Sequence, residues 1–291
     1  MRFKARISNE HISLLTGVTS VLERIGQTTA IYLDEQFVRL AVITESPDTP
    51  KVYAELRADV LFADYRIESQ SANSIFFEIE LDLLTRALSS GKTAPMCCLK
   101  LVKRGLRPCL CMETRASEVE IVHDIPIKLL RATDIDLYRP PNVPNPQVAL
   151  DLPRGKLMKT IVDRMSKLAK HVLITAEQAG RIVVSIDHSS AVIKTYYSGL
   201  QPRFDALDRV SDAHNKASVM LDIRKLAAIL NLHIMMWENT AIYIVENEAL
   251  VINVVLSPHE AGTVTFYVPV VMMNEWEHSN HHSTLASTTV E

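Results

Sequence analysis

The first seven residues alternate polar and apolar, Met1-Arg2-Phe3-Lys4-Ala5-Arg6-Ile7, which predicts a strand. The spacing then changes to that of a helix. Ile12, Leu15, Val18, Leu22 and Ile25 share one face over residues 9–25, with Asn9 as the expected cap. Strand-like runs follow at 30–33, 37–44 and 52–56, and at 74–79 after a polar stretch. Residues 80–90 read as a shorter helix with Leu81, Leu84 and Leu88 inward, stopped by Gly91. Strands are expected at 96–103, 107–114 and 119–130, the first two joined by a turn at Arg104-Gly105. Residues 131–146 carry Pro140, Pro141, Pro144 and Pro146, which predict an extended connector.

Beyond the connector the order recurs. A strand is expected at 148–152, a helix at 153–170, and strands at 171–176, 182–187 and 191–197. A polar loop over 198–216 leads to a helix over 220–232 and strands at 234–238, 241–245, 250–256 and 264–271. From residue 274 the chain is polar and of low complexity, which predicts a disordered tail.

Local matches support a duplication. Glu35-Gln36 with Arg39-Leu40 is echoed by Glu177-Gln178 with Arg181-Ile182. Leu22-Glu23-Arg24-Ile25 is echoed by Val162-Asp163-Arg164-Met165, and Leu81-Asp82-Leu83 by Leu221-Asp222-Ile223. All three offsets are roughly 140 residues, too long for a solenoid and right for whole domains. The expectation is two similar α+β domains of mostly antiparallel sheet, 1–130 and 147–273, with connector 131–146 and tail 274–291.

Composition narrows the function. Of the 291 residues, 47% are hydrophobic and 22% charged, the balance of a soluble globular chain. No apolar run is long enough to span a bilayer, and the N-terminus lacks a signal-peptide core, so an intracellular protein is expected. A net charge of −3 gives no overall affinity for nucleic acid. Any DNA-binding charge must be gathered on one face. Cys97, Cys98, Cys109 and Cys111 lie on a predicted hairpin without a Cys-x-x-Cys spacing, so reduced strand cysteines are expected rather than a metal site.

The helix at 153–170 is where positive charge gathers. Lys156, Lys159, Lys167 and Lys170 fall within an arc of about 80°, flanked by Arg164 and interrupted by Asp163. Leu157, Met158, Ile161, Met165 and Leu168 occupy the other side. A solvated face is the commoner explanation of such a stripe; a phosphate-facing surface is the functional one. Arg224, Lys225, Arg86 and Lys92 are secondary candidates on the shorter helices, and Arg24 is the one strong positive charge of the first.

Catalytic signatures are missing. Ser90-Gly91-Lys92-Thr93 resembles the end of a phosphate-binding loop, but Arg86 stands where a glycine is needed and the helix comes before the lysine. His123-Asp124 has no evident nucleophile, and Pro126 follows, so a strand end is expected. His278, His281 and His282 lie in the tail.

The run Ile121-Val122-His123-Asp124-Ile125-Pro126-Ile127-Lys128, followed by Pro140-Pro141-Asn142-Val143-Pro144-Asn145-Pro146-Gln147-Val148, resembles the Hus-one family of the nine-one-one checkpoint clamp. The opening strand, Leu221-Asp222-Ile223-Arg224-Lys225-Leu226 and Val264-Thr265-Phe266-Tyr267-Val268-Pro269 also look like that family, so the resemblance spans about residues 1–271. It implies a PCNA-like sliding clamp fold, three subunits closing a ring with helices lining the hole. It implies Rad-nine and Rad-one as neighbours, a clamp loader, double-stranded DNA held without sequence preference, no cofactor or metal, no catalysis, and work in the nucleus as well as the cytoplasm. By the same analogy, subunits should meet through edge strands. These are expected at Arg107, Cys109, Cys111 and Glu113 in the first half and at Ala191, Ile193, Thr195 and Tyr197 in the second. The connector, polar around Asn142 and Asn145, is expected not to offer the apolar groove of replication clamps. The alternatives are a homotrimeric replication clamp and an interaction scaffold with no DNA role.

Overall fold

The computed structural model describes residues 1–44, 46–116, 119–152, 156–188, 191–204, 215–258 and 261–271. The first half runs β1 (Arg2–Ser8), α1 (Asn9–Leu22), β2 (Thr28–Leu33), β3 (Phe37–Val42), β4 (Lys51–Arg57), α2 (Ala58–Leu61), β5 (Asp64–Glu68), β6 (Ile75–Glu80), α3 (Leu81–Gly91), β7 (Met96–Arg104), β8 (Arg107–Ala116) and β9 (Val119–Leu129). A 3-10 helix, Ala132–Tyr138, opens the connector. The second half runs β10 (Val148–Asp151), α4 (Leu157–Met165), β11 (His171–Glu177), β12 (Arg181–His188), β13 (Ala191–Tyr197), β14 (Lys216–Asp222), α5 (Ile223–Ile229), a 3-10 turn at Asn231–Ile234, β15 (Trp237–Val245), β16 (Ala249–Leu256) and β17 (Gly262–Pro269).

Among the described residues all strand pairings are antiparallel. One sheet of 13 strands has the order β10-β15-β16-β17-β4-β3-β2-β6-β9-β8-β7-β1-β5, and a second has the order β13-β12-β11-β14. The large sheet crosses from one half of the chain to the other where β17 pairs with β4, Gly262 opposite Leu56 and Tyr267 opposite Lys51. At that crossing Gly262 has φ +134, and a Cβ there would lie 2.0 Å from the Glu55 carbonyl oxygen. Glycine is what lets the two backbones meet.

Of the three sequence echoes, the first falls on corresponding elements. Glu35-Gln36 and Gln178 lie in the β2–β3 and β11–β12 turns. The other two lie near corresponding helix ends but out of register: Leu22 ends α1 while its match Val162 lies inside α4, and Leu81 begins α3 while its match Leu221 is still in β14.

α1 is capped by Ser8, whose hydroxyl accepts from the His11 N–H, rather than by Asn9. Its burial extends well beyond one stripe: Leu14, Val21, Thr16, Gly17 and Thr19 are buried along with the expected face. Thr16 and Thr19 satisfy their hydroxyls on the carbonyls of Ile12 and Thr16, so burying them costs little. The helix is enclosed because α3 flanks it and the 231–234 turn lies across Gly17, where a Cβ would meet the Ile234 carbonyl oxygen at 2.9 Å. α3 is the simpler amphipath, with Leu81, Leu84, Ala87 and Leu88 buried, each leucine worth about 2 kcal/mol of apolar transfer. Gly91 is its last residue and serves packing, since a Cβ there would strike Met112, Ile12 and Cys97.

Four expectations are corrected. The long basic helix is confined to Leu157–Met165; 153–155 lie outside the described residues, and residues 167–170 leave the helix as a turn. That departure lets the Lys170 carbonyl accept from the Ile223 N–H at the start of α5. Residues 216–222 form strand β14 instead of loop and helix, because Asp222 caps α5 by accepting from the N–H groups of Arg224 and Lys225. The polar stretch 64–68 pairs as β5 with β1, and 231–234 is a 3-10 turn that delays the next strand to Trp237. The tail expected from residue 274, with His278, His281 and His282, lies outside the described residues.

Candidate nucleic-acid and subunit interfaces

The helices form two pairs, α1 with α3 and α4 with α5, bridged by the 231–234 turn against α1. Most of the sequence-predicted cations lie on or beside them. Lys156, Arg164, Lys167, Lys170, Arg224, Lys92 and Arg24 are exposed. Lys159 is not part of an open stripe. Its side chain is only 18% exposed and its ammonium is bonded to Asp163, one turn on. Arg86 is likewise paired, with Asp82 at 2.7 Å. Lys225 donates to the Asp48 carbonyl at 2.5 Å, tying α5 to the first half of the chain. Leu157 and Leu168, expected inside, are 62% and 45% exposed, because the helix is short and its ends turn outward.

The two expected subunit edges fare differently. β13, which carries Ala191, Ile193, Thr195 and Tyr197, is an edge strand of the smaller sheet, paired among the described residues only with β12. Val192, Ile193 and Tyr196 are exposed on it. β8 is no edge. It is hydrogen-bonded to β7 on one side and, from Cys109 onward, to β9 on the other, so Cys109, Cys111 and Glu113 cannot accept a neighbour's strand. Cys109 and Cys111 are buried. The open edge in that region belongs to β9. Among the described residues, 119–126 pair with β8 alone, and only 127–129 pair with β6. Val119, Ile121 and Val122 are exposed there. Three apolar exposed residues on an unpaired edge are the signal that marks it.

The cysteines are free thiols, and the described residues contain no group of three metal-ligating side chains. Burial, then the hydrogen bond and charge of Asp124, push the Cys111 thiol up to about 11. Thiolate is the reactive form, so at pH 8 half-buried Cys98 should alkylate with iodoacetamide at least about tenfold faster than Cys111. Peptide mass mapping reads this, and equal rates would show that the burial is not maintained in solution.

His123 does meet a hydroxyl, one that sequence spacing did not reveal. Ser90 Oγ lies 2.8 Å from His123 Nε2. The pair is not an activated nucleophile. Ser90 also hydrogen-bonds the Ala87 carbonyl at 2.7 Å. Asp124, next along the strand, points to the opposite face and binds Arg104 at 2.8 Å.

A cavity of about 480 Å³ lies between the connector and the large sheet. Tyr32, Tyr53, Phe76 and Tyr267 wall it from the sheet, and Ile135, Tyr138 and Pro140 from the connector. Tyr138 packs edge-on to Phe76 at 5.3 Å. The apolar groove thus exists, built by the sheet and the 3-10 helix rather than by the polar stretch near Asn142. Arg39 crosses it, bonded to Asp34 and to Glu55. Burial would raise Asp34, but the N–H groups of Gln36 and Phe37 and the Arg39 guanidinium outweigh it and hold its carboxyl below the usual range.

The sequence matches the family model described as Hus1-like protein over residues 1–272. This chain belongs to the Hus1-like family. A member from Dictyostelium discoideum, the checkpoint protein hus1 homolog, is 29% identical over 279 residues, covering 94% of this chain and 100% of that one. The fold is that of the sliding clamps. The proliferating cellular nuclear antigen of Entamoeba histolytica superposes with a TM-score of 0.71 at 14% identity, covering 93% of this chain and 99% of that one. The A. fulgidus PCNA solved with the C-terminal region of FEN-1 gives 0.67 at 12% identity, covering 93% and 98%. Family and fold together make this Hus1-like chain a subunit of a checkpoint clamp.

Proposed function

We propose that this chain is the Hus-one member of a heterotrimeric ring with Rad-nine-like and Rad-one-like neighbours, placed around double-stranded DNA at damage sites by a clamp loader. Two clamp domains, 1–130 and 147–273, joined by connector 131–146, supply its arc. The observation that carries the reading is the pair of open, apolar strand edges in separate sheets, β9 and β13. One edge for each of two different neighbours is what a head-to-tail ring requires. Backbone pairing extends the sheets, and Val119, Val122, Val192 and Tyr196 provide area to bury. The exposed cations on the helices offer phosphates a sequence-indifferent lining, which suffices once DNA is held topologically. The subunit performs no chemical step. It works in the nucleus, and the cavity under the connector receives an apolar segment of a partner protein.

Solution mass tests the assembly. The chain alone should be a monomer and should form a one-to-one-to-one complex with the two partners. A stable homotrimer would favour a replication-type clamp instead. Placing Asp at both Val192 and Tyr196, exposed on β13, should weaken assembly by about tenfold or more while leaving the monomer folded. Unchanged assembly would remove β13 from the interface.

A further inference from the structure

Where α4 begins, beside the 231–234 turn and the start of β15, there is a notch of about 30 Å³. That is room for roughly one water-sized group. Lys156, Lys159, His233 and Thr240 are its polar lining, with Trp237 among the apolar walls. Three observations converge on an anion. α4 starts at Lys156, whose side chain makes no capping bond, so the positive end of the helix lies beside the notch. Thr240 is 2% exposed, and its Oγ1 is buried with no hydrogen-bond partner among the described residues. A buried hydroxyl is not left unbonded without cost, so it points to an occupant. The surrounding side chains are cationic.

His233 is the titratable centre. Burial, then the charges of Lys156, Lys159 and Arg24, lower its pKa and disfavour the imidazolium. Other charges on the packed elements are Arg224 and Lys225 at the far end of α5, Asp163 bonded to Lys159, Glu10 and Glu23 at the ends of α1, and Glu238 on β15 with a contact of its own.

We propose that this notch seats one non-bridging oxygen of a DNA backbone phosphate, and that His233 takes up a proton from solvent when it does. This rests on the reading of the helical face as the DNA lining. Phosphate charge offsets the neighbouring cations, so His233 protonates more readily in the bound state. Its contribution is therefore present at low pH and is lost as pH rises through the bound-state pKa.

The test uses the full chain and a labelled duplex of about twenty base pairs at low salt, read by fluorescence anisotropy. Affinity should rise roughly tenfold between pH 8 and pH 6. His233→Gln should flatten that slope. Thr240→Val, near-isosteric, should weaken binding at both pH values. Lys167→Glu should weaken binding with the slope intact. If Lys167→Glu weakens binding but His233→Gln keeps the wild-type slope, the notch is overturned and the lining stands. If the ring assembled with its two neighbours also binds no duplex at any pH, both fall together.

Discussion

Replacing Gly262 with alanine is expected to cost more than about 3 kcal/mol of folding stability, enough to unfold a large fraction of the chain at physiological temperature. Two penalties coincide there. The backbone has φ +134, a region that side-chain-bearing residues rarely adopt, and the added Cβ would sit 2.0 Å from the Glu55 carbonyl oxygen and 2.9 Å from Leu56 Cα. Neither neighbour is a flexible side-chain end. Both belong to β4, so relief requires β17 to part from β4, at the one join that carries the large sheet between the halves. Gly105→Ala is the matched control. It also has positive φ, +61, but nothing lies within 4 Å of the new Cβ. Its cost should be the backbone term alone, about 1 kcal/mol. Urea midpoints compare the two. Equal losses would mean that the close approach at Gly262 relaxes and that the join is not constrained as described.

The second large effect is on DNA. Changing Lys156, Arg164, Lys167 and Lys170 together to glutamate should reduce retention of the assembled ring on linear duplex, whose free ends do not trap it topologically, by roughly 100-fold at moderate salt. The same change should shallow the salt dependence, by about one power of salt concentration for each phosphate that is no longer neutralised. All four are exposed, so thermal unfolding should be almost unaffected. Arg86→Glu is the contrast. Arg86 is already paired with Asp82, and its reversal should change retention by only about two-fold. Full retention by the quadruple variant would leave the stripe as a solvated surface and favour a scaffold without a DNA role.

Lys159 shows how packing edits a stripe read from spacing. On a helical wheel it is indistinguishable from Lys156, and spacing alone counts both as available charge. Asp163 one turn on is visible in the sequence as an interruption. That it takes up the Lys159 ammonium, and that the side chain is mostly buried, depends on what packs beside α4.

The antiparallel α+β plan, the recurring order of elements, the turn at Arg104-Gly105 and the bounds of β13 were all legible in the chain. They rest on local rules: alternation of side chains along a strand, the 3.6-residue period of a helix, and the backbone freedom of glycine. Where two local signals compete, the stronger one sets the boundary. Asp222 caps α5, and reading it as a mid-helix residue swallowed β14.

Which strand is an edge is not a local property. β8 and β9 have similar strand-forming sequences, yet one is bonded on both sides and the other is open over residues 119–126, because β6 reaches only 127–129. Pairing partners come from distant parts of the chain, so the sequence named the right sheet region and the wrong strand. The same holds for the enclosure of α1, the cavity walled by Tyr53 and Tyr267, and the notch that brings His233 beside Lys156 and Thr240. Periodicity and capping determined the elements; long-range packing alone decided which charges stay open, which edges stay unpaired and which polar groups are left waiting for a partner.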